Sequence, residues 1–413
     1  MSKLKSLIKK QKTKPRIFIH MHYLEIGGAE TSLIGLLQAL DPNRVDVDLF
    51  LNEHRGEMMK YIPSYVRVLP ELKPYSTIEQ PIVAAIKKGC WGIVIGRLMA
   101  RLKYLCFRKK EVEAAESALY AYVGKYVTRF LPSLNKYGEY DLAISFLIPH
   151  NIVLEKVNAK KKICWIHTDY SSIKVDKDEE ETVWGAYDNI VSISPKVSES
   201  FCSVFPTLSN KLVEIENIIP RQVVLTRSRE FLPLDMPNFD TGLNLLTIGR
   251  YSYAKGLDRI PALCRKIIDS GLNIRWYIIG YGNNNLLAEI ERQIGLYKVE
   301  DRVIVLGKKD NPYPYIMQCD WYIQPSRYEG KCVAVREAQL LEKPVIITDY
   351  PTALSQIIDG HDGFIVPNDI EACSEGIAKL LTNEDAKATV INNLRKVDAA
   401  GASEINKLYN FVQ

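Results

Sequence analysis

The sequence predicts an α/β protein made of two successive doubly wound units that face each other across a cleft. Three observations carry that expectation. Short apolar runs of strand type alternate with amphipathic helical stretches along nearly the whole chain. An irregular, proline-bearing stretch near the middle is followed by the same alternation begun afresh. In both halves, glycine turns lie between strand ends and helix starts, where backbone amides can face an anion.

The elements follow in order. After a basic arm, "RIFIHMHYL" reads as a buried strand, "EIGGAE" as a glycine turn carrying Gly27 and Gly28, and "TSLIGLLQAL" as a helix closed before Asp41 and Pro42. Glu30, at the start of that helix, suits its dipole. "VDVDLFLN" is the next strand, which completes the opening of a β-α-β unit. A cationic segment, a helix rich in alanine and tyrosine, and the strands "YDLAISFL", "KKICWIH" and "NIVSIS" continue the first half. The stretch "TRSREFLPLDMPNFDTG" reads as a linker. The second half then gives strand "LNLLTIGR", turn "YSYAKG", helix "LDRIPALCRKIIDSG", strand "IRWYIIG", turn "YGNNN" and helix "LLAEIERQIG". "VIVLG", "DWYIQPS", a helix after Glu329, "PVIITD" and "DGFIVP" complete it.

The composition, 47% hydrophobic with 25% charged residues, is that of a globular protein, and the 413 residues accommodate two domains. Eight cysteines without a C-x-x-C pair suggest neither a disulfide framework nor a zinc site, and point to a reducing compartment. No apolar run is long enough to span a bilayer, and the basic start lacks the apolar core of a signal peptide. The expected location is therefore cytoplasmic. The net charge of +5 is mild but unevenly spread. The first sixteen residues carry Lys3, Lys5, Lys9, Lys10, Lys12, Lys14 and Arg16 with no acid. In "IKKGCWGIVIGRLMARLKYLCFRKK", residues 86–110, eight cations interleave with apolar residues. Leu98, Leu102 and Leu105 share a helical face there, with the cations fanned around the opposite side, a pattern that suits an anionic membrane surface. An ordinary domain helix with a solvated basic face is the alternative. Nucleic acid is not expected, because no recognition motif accompanies the charge.

Four motifs carry chemistry. "PSRYEGKCVAVREAQLLEKPV", residues 325–345, sets Glu329 at a helix mouth and Glu337 about two turns in, with seven residues between them. Eight residues of helix rise span roughly 12 Å, a distance one extended ligand can bridge, whereas two carboxylates working on one bond would sit closer. A pair at this interval is common on solvated helix faces; the preceding strand and the small "EG" turn distinguish this one. "GRYSYAKG", residues 249–256, supplies Arg250 and Lys255 after a strand ending in Gly249. "GYGN" places Gly280 and Gly282 in a further strand-end turn, weak evidence by itself. His167 in "CWIHTDY" follows a strand, with Asp169 a weaker neighbour. His20, His22 and His150 lie at similar strand ends, but H-x-H has no third ligand at useful spacing, so no metal site is expected.

With these motifs in this order, the chain resembles the retaining glycosyltransferases of the GT-B fold, two Rossmann-like domains, and specifically glycosyltransferase family 4. The resemblance covers nearly the whole chain and is strongest between residues 244 and 367. It implies that Glu329 faces a donor sugar, that Glu337 holds the ribose, and that Arg250 and Lys255 clamp the pyrophosphate of a nucleoside diphosphate sugar. His167 matches a histidine near the reacting face of the sugar. Gly27, Gly28, Gly280, Gly282, Gly330, Lys331, Cys332 and Val333 are expected to line the donor site. Lys331 and Cys332 depart from the aromatic residue and glycine usual in the family, which puts the sugar's identity in doubt. Cys332 reads as pocket lining, not as a nucleophile.

The expected activity is transfer of a sugar from a nucleoside diphosphate donor, UDP being the commonest in the family, to a hydroxyl of a lipid-linked or growing surface glycan. The expected setting is capsule or O-antigen assembly, with the protein peripheral on the inner face of the plasma membrane. The resemblance implies no metal and no cofactor, because fixed cations stabilise the departing diphosphate. A GT-B nucleotide-sugar epimerase, which needs no acceptor, and a non-catalytic nucleotide-binding subunit are the alternatives. A nicotinamide dehydrogenase is disfavoured, since neither half holds a full G-x-G-x-x-G. The expected domains are residues 1–220 for the acceptor and 221–395 for the donor, with a C-terminal helix over 396–413 packing back on the first.

Overall fold

The computed structural model describes residues 14–25, 27–110, 117–168, 170, 175–329, 331–396 and 398–412. The chain forms two compact units, Met1–Ile218 with Gly401–Gln413, and Ile219–Ala400. Most of the basic arm, together with Asp169 and Gly330, lies outside the described residues.

The first unit holds a seven-stranded sheet: β1 (Arg16–Met21), β2 (Asp46–Leu51), β3 (Arg67–Val68), β4 (Tyr140–Ser145), β5 (Ala159–Ile166), β6 (Asn189–Ser192) and β7 (Leu212–Glu214). The spatial order is β3-β2-β1-β4-β5-β6-β7, and every pairing is parallel. Parallel strands need crossovers that cover both faces, which is why these strands are apolar runs and not alternating ones. The helix α1 (Gly28–Ala39) links β1 to β2. Residues 86–110 do not form one helix. Gly89, at φ +71°, separates α2 (Ile82–Lys87) from α3 (Trp91–Lys110), and α4 (Ser117–Thr128) packs against α3. The edge strands β3 and β7 are two and three residues long, too short to leave a periodic signature in the sequence.

The second unit holds a six-stranded sheet: β8 (Leu243–Ile248), β9 (Ile274–Ile279), β10 (Val303–Gly307), β11 (Trp321–Gln324), β12 (Val345–Thr348) and β13 (Phe364–Val366). Its order is β10-β9-β8-β11-β12-β13, again parallel throughout. The two-residue period sends alternate side chains to two separate cores. Ile274, Trp276 and Ile278 of β9 join Leu263 and Ile377 on one face, and Tyr277 and Ile279 join Val335 and Val345 on the other. Each of these buried aliphatic side chains contributes about 1.5–3 kcal/mol of transfer free energy.

Residues 401–412 carry less helix than the expected helix over 396–413. Gly401 adopts a left-handed conformation at φ +70°, and only the turn Ala402–Glu404 and the short helix Ile405–Tyr409 follow. Tyr409 fixes this end to the first unit: its hydroxyl accepts from the Asp41 amide at 2.8 Å, and Arg44 stacks 3.6 Å over its ring. No helix among the described residues is long and apolar enough to cross a membrane.

Candidate active site

In an open parallel sheet the strand order reverses once. The carboxyl ends on either side of that reversal leave a crevice where ligands bind. In the second unit the reversal falls between β8 and β11. The loops leaving these strands are residues 249–256 and 325–332, which carry Arg250, Lys255, Glu329 and Cys332.

Close backbone contacts stitch the two loops together. Gly256 takes φ +63°, and a β-carbon there would sit 2.2 Å from the Pro325 carbonyl oxygen, so only glycine fits. The Arg327 amide donates to the Ala254 carbonyl at 2.7 Å. The Arg327 guanidinium grips both oxygens of Asp258, at 2.8 and 2.6 Å, and also reaches the Tyr253 carbonyl. Arg259 spans the Pro325 carbonyl and the Asn368 amide oxygen.

The result brings two of the expected catalytic side chains into direct contact. Lys255 Nζ donates to Glu329 Oε1 at 2.6 Å, and the side chains are only 18% and 10% exposed. The same ammonium lies 3.5 Å from Cys332 Sγ. Burial pulls the Lys255 pKa down, but the thiol and the carboxylate outweigh it and the net shift is upward. Glu329 also accepts from Ser326 Oγ at 2.7 Å. Ser326 in turn accepts from Gln324, whose amide oxygen takes the Tyr322 hydroxyl. A chain of buried polar groups thus runs from the sheet to the carboxylate and fixes its position. Arg250, directly after Gly249, is exposed and makes no ion pair among the described residues.

The helix after Glu329 begins later than the sequence suggests. Cys332 is extended at φ −85°, ψ 110°, and the helix runs from Val333 to Leu340. Glu329 therefore belongs to the loop, and Glu337 stands about one turn inside the helix instead of two. Glu337 accepts from the Tyr313 hydroxyl at 2.9 Å, and burial raises its pKa. Cys332 is buried, its amide donates to Gln356 at 2.7 Å, and burial pushes its thiol pKa up, so it is not a ready thiolate. Lys331 is partly buried and Val333 is exposed at the helix mouth.

Gly280 and Gly282 are required by packing. A β-carbon at Gly280 would meet the Gly249 carbonyl at 2.1 Å, Gly282 takes φ +136°, and it bridges to Tyr251. These glycines hold the β9 turn against the loop that presents Arg250. In the first unit, Gly27 is extended at φ −158° and Gly28 opens α1, conformations any residue adopts. A β-carbon at Gly27 would strike the Glu30 carboxylate at 2.2 Å, whereas Gly28 faces open space.

The strand-end histidines of the first unit are buried groups with other partners. His20 pairs with Asn52 at 3.0 Å, and burial lowers its pKa to about 3. His150 pairs with Ser145 at 2.8 Å and is also held well below its ordinary value by burial. His22 pairs with Glu79. His167 bonds the Phe146 backbone, and burial brings its pKa down to about 4. Its Nε2 has no partner among the described residues, and the ring borders a cavity of about 70 Å³ lined by Trp165, Tyr170 and Trp184. No cluster of described His, Cys, Asp or Glu is placed to hold a metal ion.

Sequence reasoning missed Ser326, Gln324, Arg259, Arg327, Asp258 and Tyr313, which hold the site together. The run Gln324, Pro325, Ser326, Arg327 at a strand end was the available signal. Tyr313 has none, because its helix is distant in sequence.

The fold and the two charged loops define a class of protein, the two-domain GT-B fold. Across 96% of this chain and 98% of its own, HepE of Anabaena, solved with UDP and glucose, superposes at a TM-score of 0.61 with 16% identity. TarM of Staphylococcus aureus superposes at 0.63 with 13% identity over 97% of this chain and 99% of its own. Residues 234–397, the greater part of the second unit, match the family model of glycosyl transferases group 1. The capsular polysaccharide biosynthesis glycosyltransferase CapM of Staphylococcus aureus is 30% identical over 153 residues, 36% of this chain and 39% of that one. The N-acetylgalactosamine-N,N'-diacetylbacillosaminyl-diphospho-undecaprenol 4-alpha-N-acetylgalactosaminyltransferase of Campylobacter jejuni is 24% identical over 37% of this chain and 40% of its own. The matched segments span 39% to 60% of the first three curated relatives.

Proposed function

We propose that the protein is a retaining glycosyltransferase of family 4. In this reading it moves a sugar from a UDP-linked donor to a hydroxyl of a lipid-linked or growing surface glycan. The observation that carries the reading is the Lys255–Glu329 pair, with Arg250 on the same loop as Lys255, at the strand-order reversal of the unit that matches the group 1 model. The capsule-related names of the relatives support a role in polysaccharide biosynthesis.

The chemistry follows from charge. When the bond between the anomeric carbon and the diphosphate breaks, the diphosphate gains negative charge and the sugar becomes oxocarbenium-like. Lys255 and Arg250 stabilise the first, and Glu329 orients the sugar and stabilises the second. Glu337, about one turn inside the helix that follows and steadied by Tyr313, holds the ribose hydroxyls. The acceptor hydroxyl attacks the face that the diphosphate leaves and passes its proton to the departing phosphate oxygen, so configuration is kept.

Thermal stabilisation by UDP, GDP, ADP and TDP, measured beside Glu337→Ala, tests this reading. Selective stabilisation by UDP that the variant loses is expected. Indifference to all four nucleotides would sink the donor site, and product formed from donor alone would replace transfer with epimerisation.

A further inference from the structure

The helix α3 is turned the opposite way from an ordinary domain helix. Its small residues Gly92, Gly96 and Ala100, spaced every four, face inward. A β-carbon at Gly96 would lie 2.9 Å from the backbone of Tyr126 and Val127 in α4, and Ala100 is fully buried beside Ala118 and Tyr122. The apolar stripe Trp91, Ile95, Leu98, Met99, Leu102 and Leu105 points outward, with Trp91 60% and Leu102 65% exposed. At 3.6 residues per turn, these six side chains fall within an arc of about 120°. Val83 and Ile86 of α2 are exposed as well.

The cations do not lie opposite this stripe, as the sequence suggested; they flank it. Arg97 and Arg101 border one side of the arc and Lys103 the other, while the face opposite is the one that packs on α4. Between residues 82 and 110 there is no acidic residue. An apolar surface this continuous on a soluble fold marks an interaction site. An isologous contact with a second copy would press these like charges together with no acid between them. An anionic lipid surface instead meets the cations with headgroup phosphates and the apolar arc with acyl chains.

We propose that α3 lies in the plane of an anionic bilayer, with the Trp91–Leu105 stripe inserted at the level of the acyl boundary and Arg101 and Lys103 against lipid phosphates. The inference does not rest on the transfer reading, since binding is read without any sugar donor. Its reporter is built in. Of the five tryptophans, Trp165, Trp184, Trp276 and Trp321 are at most 3% exposed, so a solvent-dependent emission shift comes from Trp91.

The test adds vesicles of pure phosphatidylcholine, or of phosphatidylcholine with roughly one third phosphatidylglycerol, to the full chain, and follows tryptophan emission and co-sedimentation. A blue shift and binding with the anionic vesicles alone, weakened by salt, is expected. Trp91→Phe should remove the shift and leave most of the binding. Leu98→Gln with Leu102→Gln should weaken binding by on the order of tenfold or more, and Arg101→Gln with Lys103→Gln by roughly 30-fold, both with unchanged melting temperature. No binding to either vesicle, or equal binding to both, overturns the proposal. So does a shift that grows with protein concentration in the absence of lipid, which would make a second copy the occupant.

Discussion

The contact between Lys255 and Glu329 makes a prediction that can be worked from geometry. At 2.6 Å and an effective dielectric near 20, the attraction between the charges is roughly 6 kcal/mol before desolvation is subtracted. Desolvation of side chains this buried removes most of it, so the net worth of the pair is small while the cost of breaking it on one side is not. Lys255→Met leaves the Glu329 carboxylate with Ser326 as its remaining side-chain donor. The expected loss is about 2–3 kcal/mol, or a melting shift of about 4–8 °C per 2 kcal/mol for a unit of this size. Glu329→Gln keeps the shape and the Ser326 bond. The double variant should therefore lose about 1–2 kcal/mol less than the sum of the singles. Calorimetry of the four proteins, following the transition of the second unit, gives the coupling directly. The pH dependence adds an arm. Because the folded Lys255 pKa is raised, its stabilisation is fully present below the ordinary lysine value and is lost as pH rises through the folded value. The gap between natural protein and Lys255→Met should stay constant through neutral pH and close only in strong alkali. Additive losses, or a gap already closing between about pH 6 and 8, would refute the coupling.

Other expectations concern turnover, backbone and acid stability. Arg250→Ala should lower kcat by about 10²–10³-fold while changing donor affinity far less, since the exposed guanidinium acts on charge that develops late; equal losses in both would reassign it to ground-state binding. Glu337→Ala should weaken donor binding broadly, read by calorimetric titration with UDP, and Tyr313→Phe should do so more mildly through the lost 2.9 Å hydrogen bond. Gly256→Ala should cost at least about 2 kcal/mol and abolish nucleotide stabilisation, because the Pro325 carbonyl must move, while Gly28→Ala should be neutral in melting temperature. His20 and His167, held at about 3 and 4, stay neutral in the fold but protonate near 6.5 when unfolded. Their stabilisation is present above about pH 6.5 and is lost as pH falls toward the folded values, at up to about 1.4 kcal/mol per pH unit for each. Urea midpoints that do not drop between about pH 7 and 5 would contradict this.

What the sequence disclosed and what it withheld have a common physical cause. Central strands such as Ile274–Ile279 are buried on both faces, so their composition alone marks them, and the turns after them follow from their glycines. The edge strands Arg67–Val68 and Leu212–Glu214 draw their geometry from the neighbour they pair with, which no local pattern encodes. For α3 the sequence left two readings open, an apolar stripe facing a membrane surface and an ordinary domain helix. Its leucine face was legible, but which face is buried depends on Gly96 and Ala100 meeting α4, a tertiary fact. The site divides in the same way. Lys255 and Glu329 stood out by motif, one in "GRYSYAKG" and the other as the first of two glutamates with seven residues between them, and the structure adds that they bond to each other. Ser326, Arg259 and Arg327 look like loop composition until Gly256 brings its loop against Pro325. The first unit shows the converse at its own strand-order reversal. The carboxyl ends of β1 and β4 lead to His20, His22 and His150 where the second unit has Arg250, Lys255 and Glu329. Burial keeps His20 and His150 uncharged, whereas Lys255 stays charged against Glu329. The same topology therefore supplies two crevices, and in the proposed reading it is side-chain charge, not fold, that singles out the second for a diphosphate.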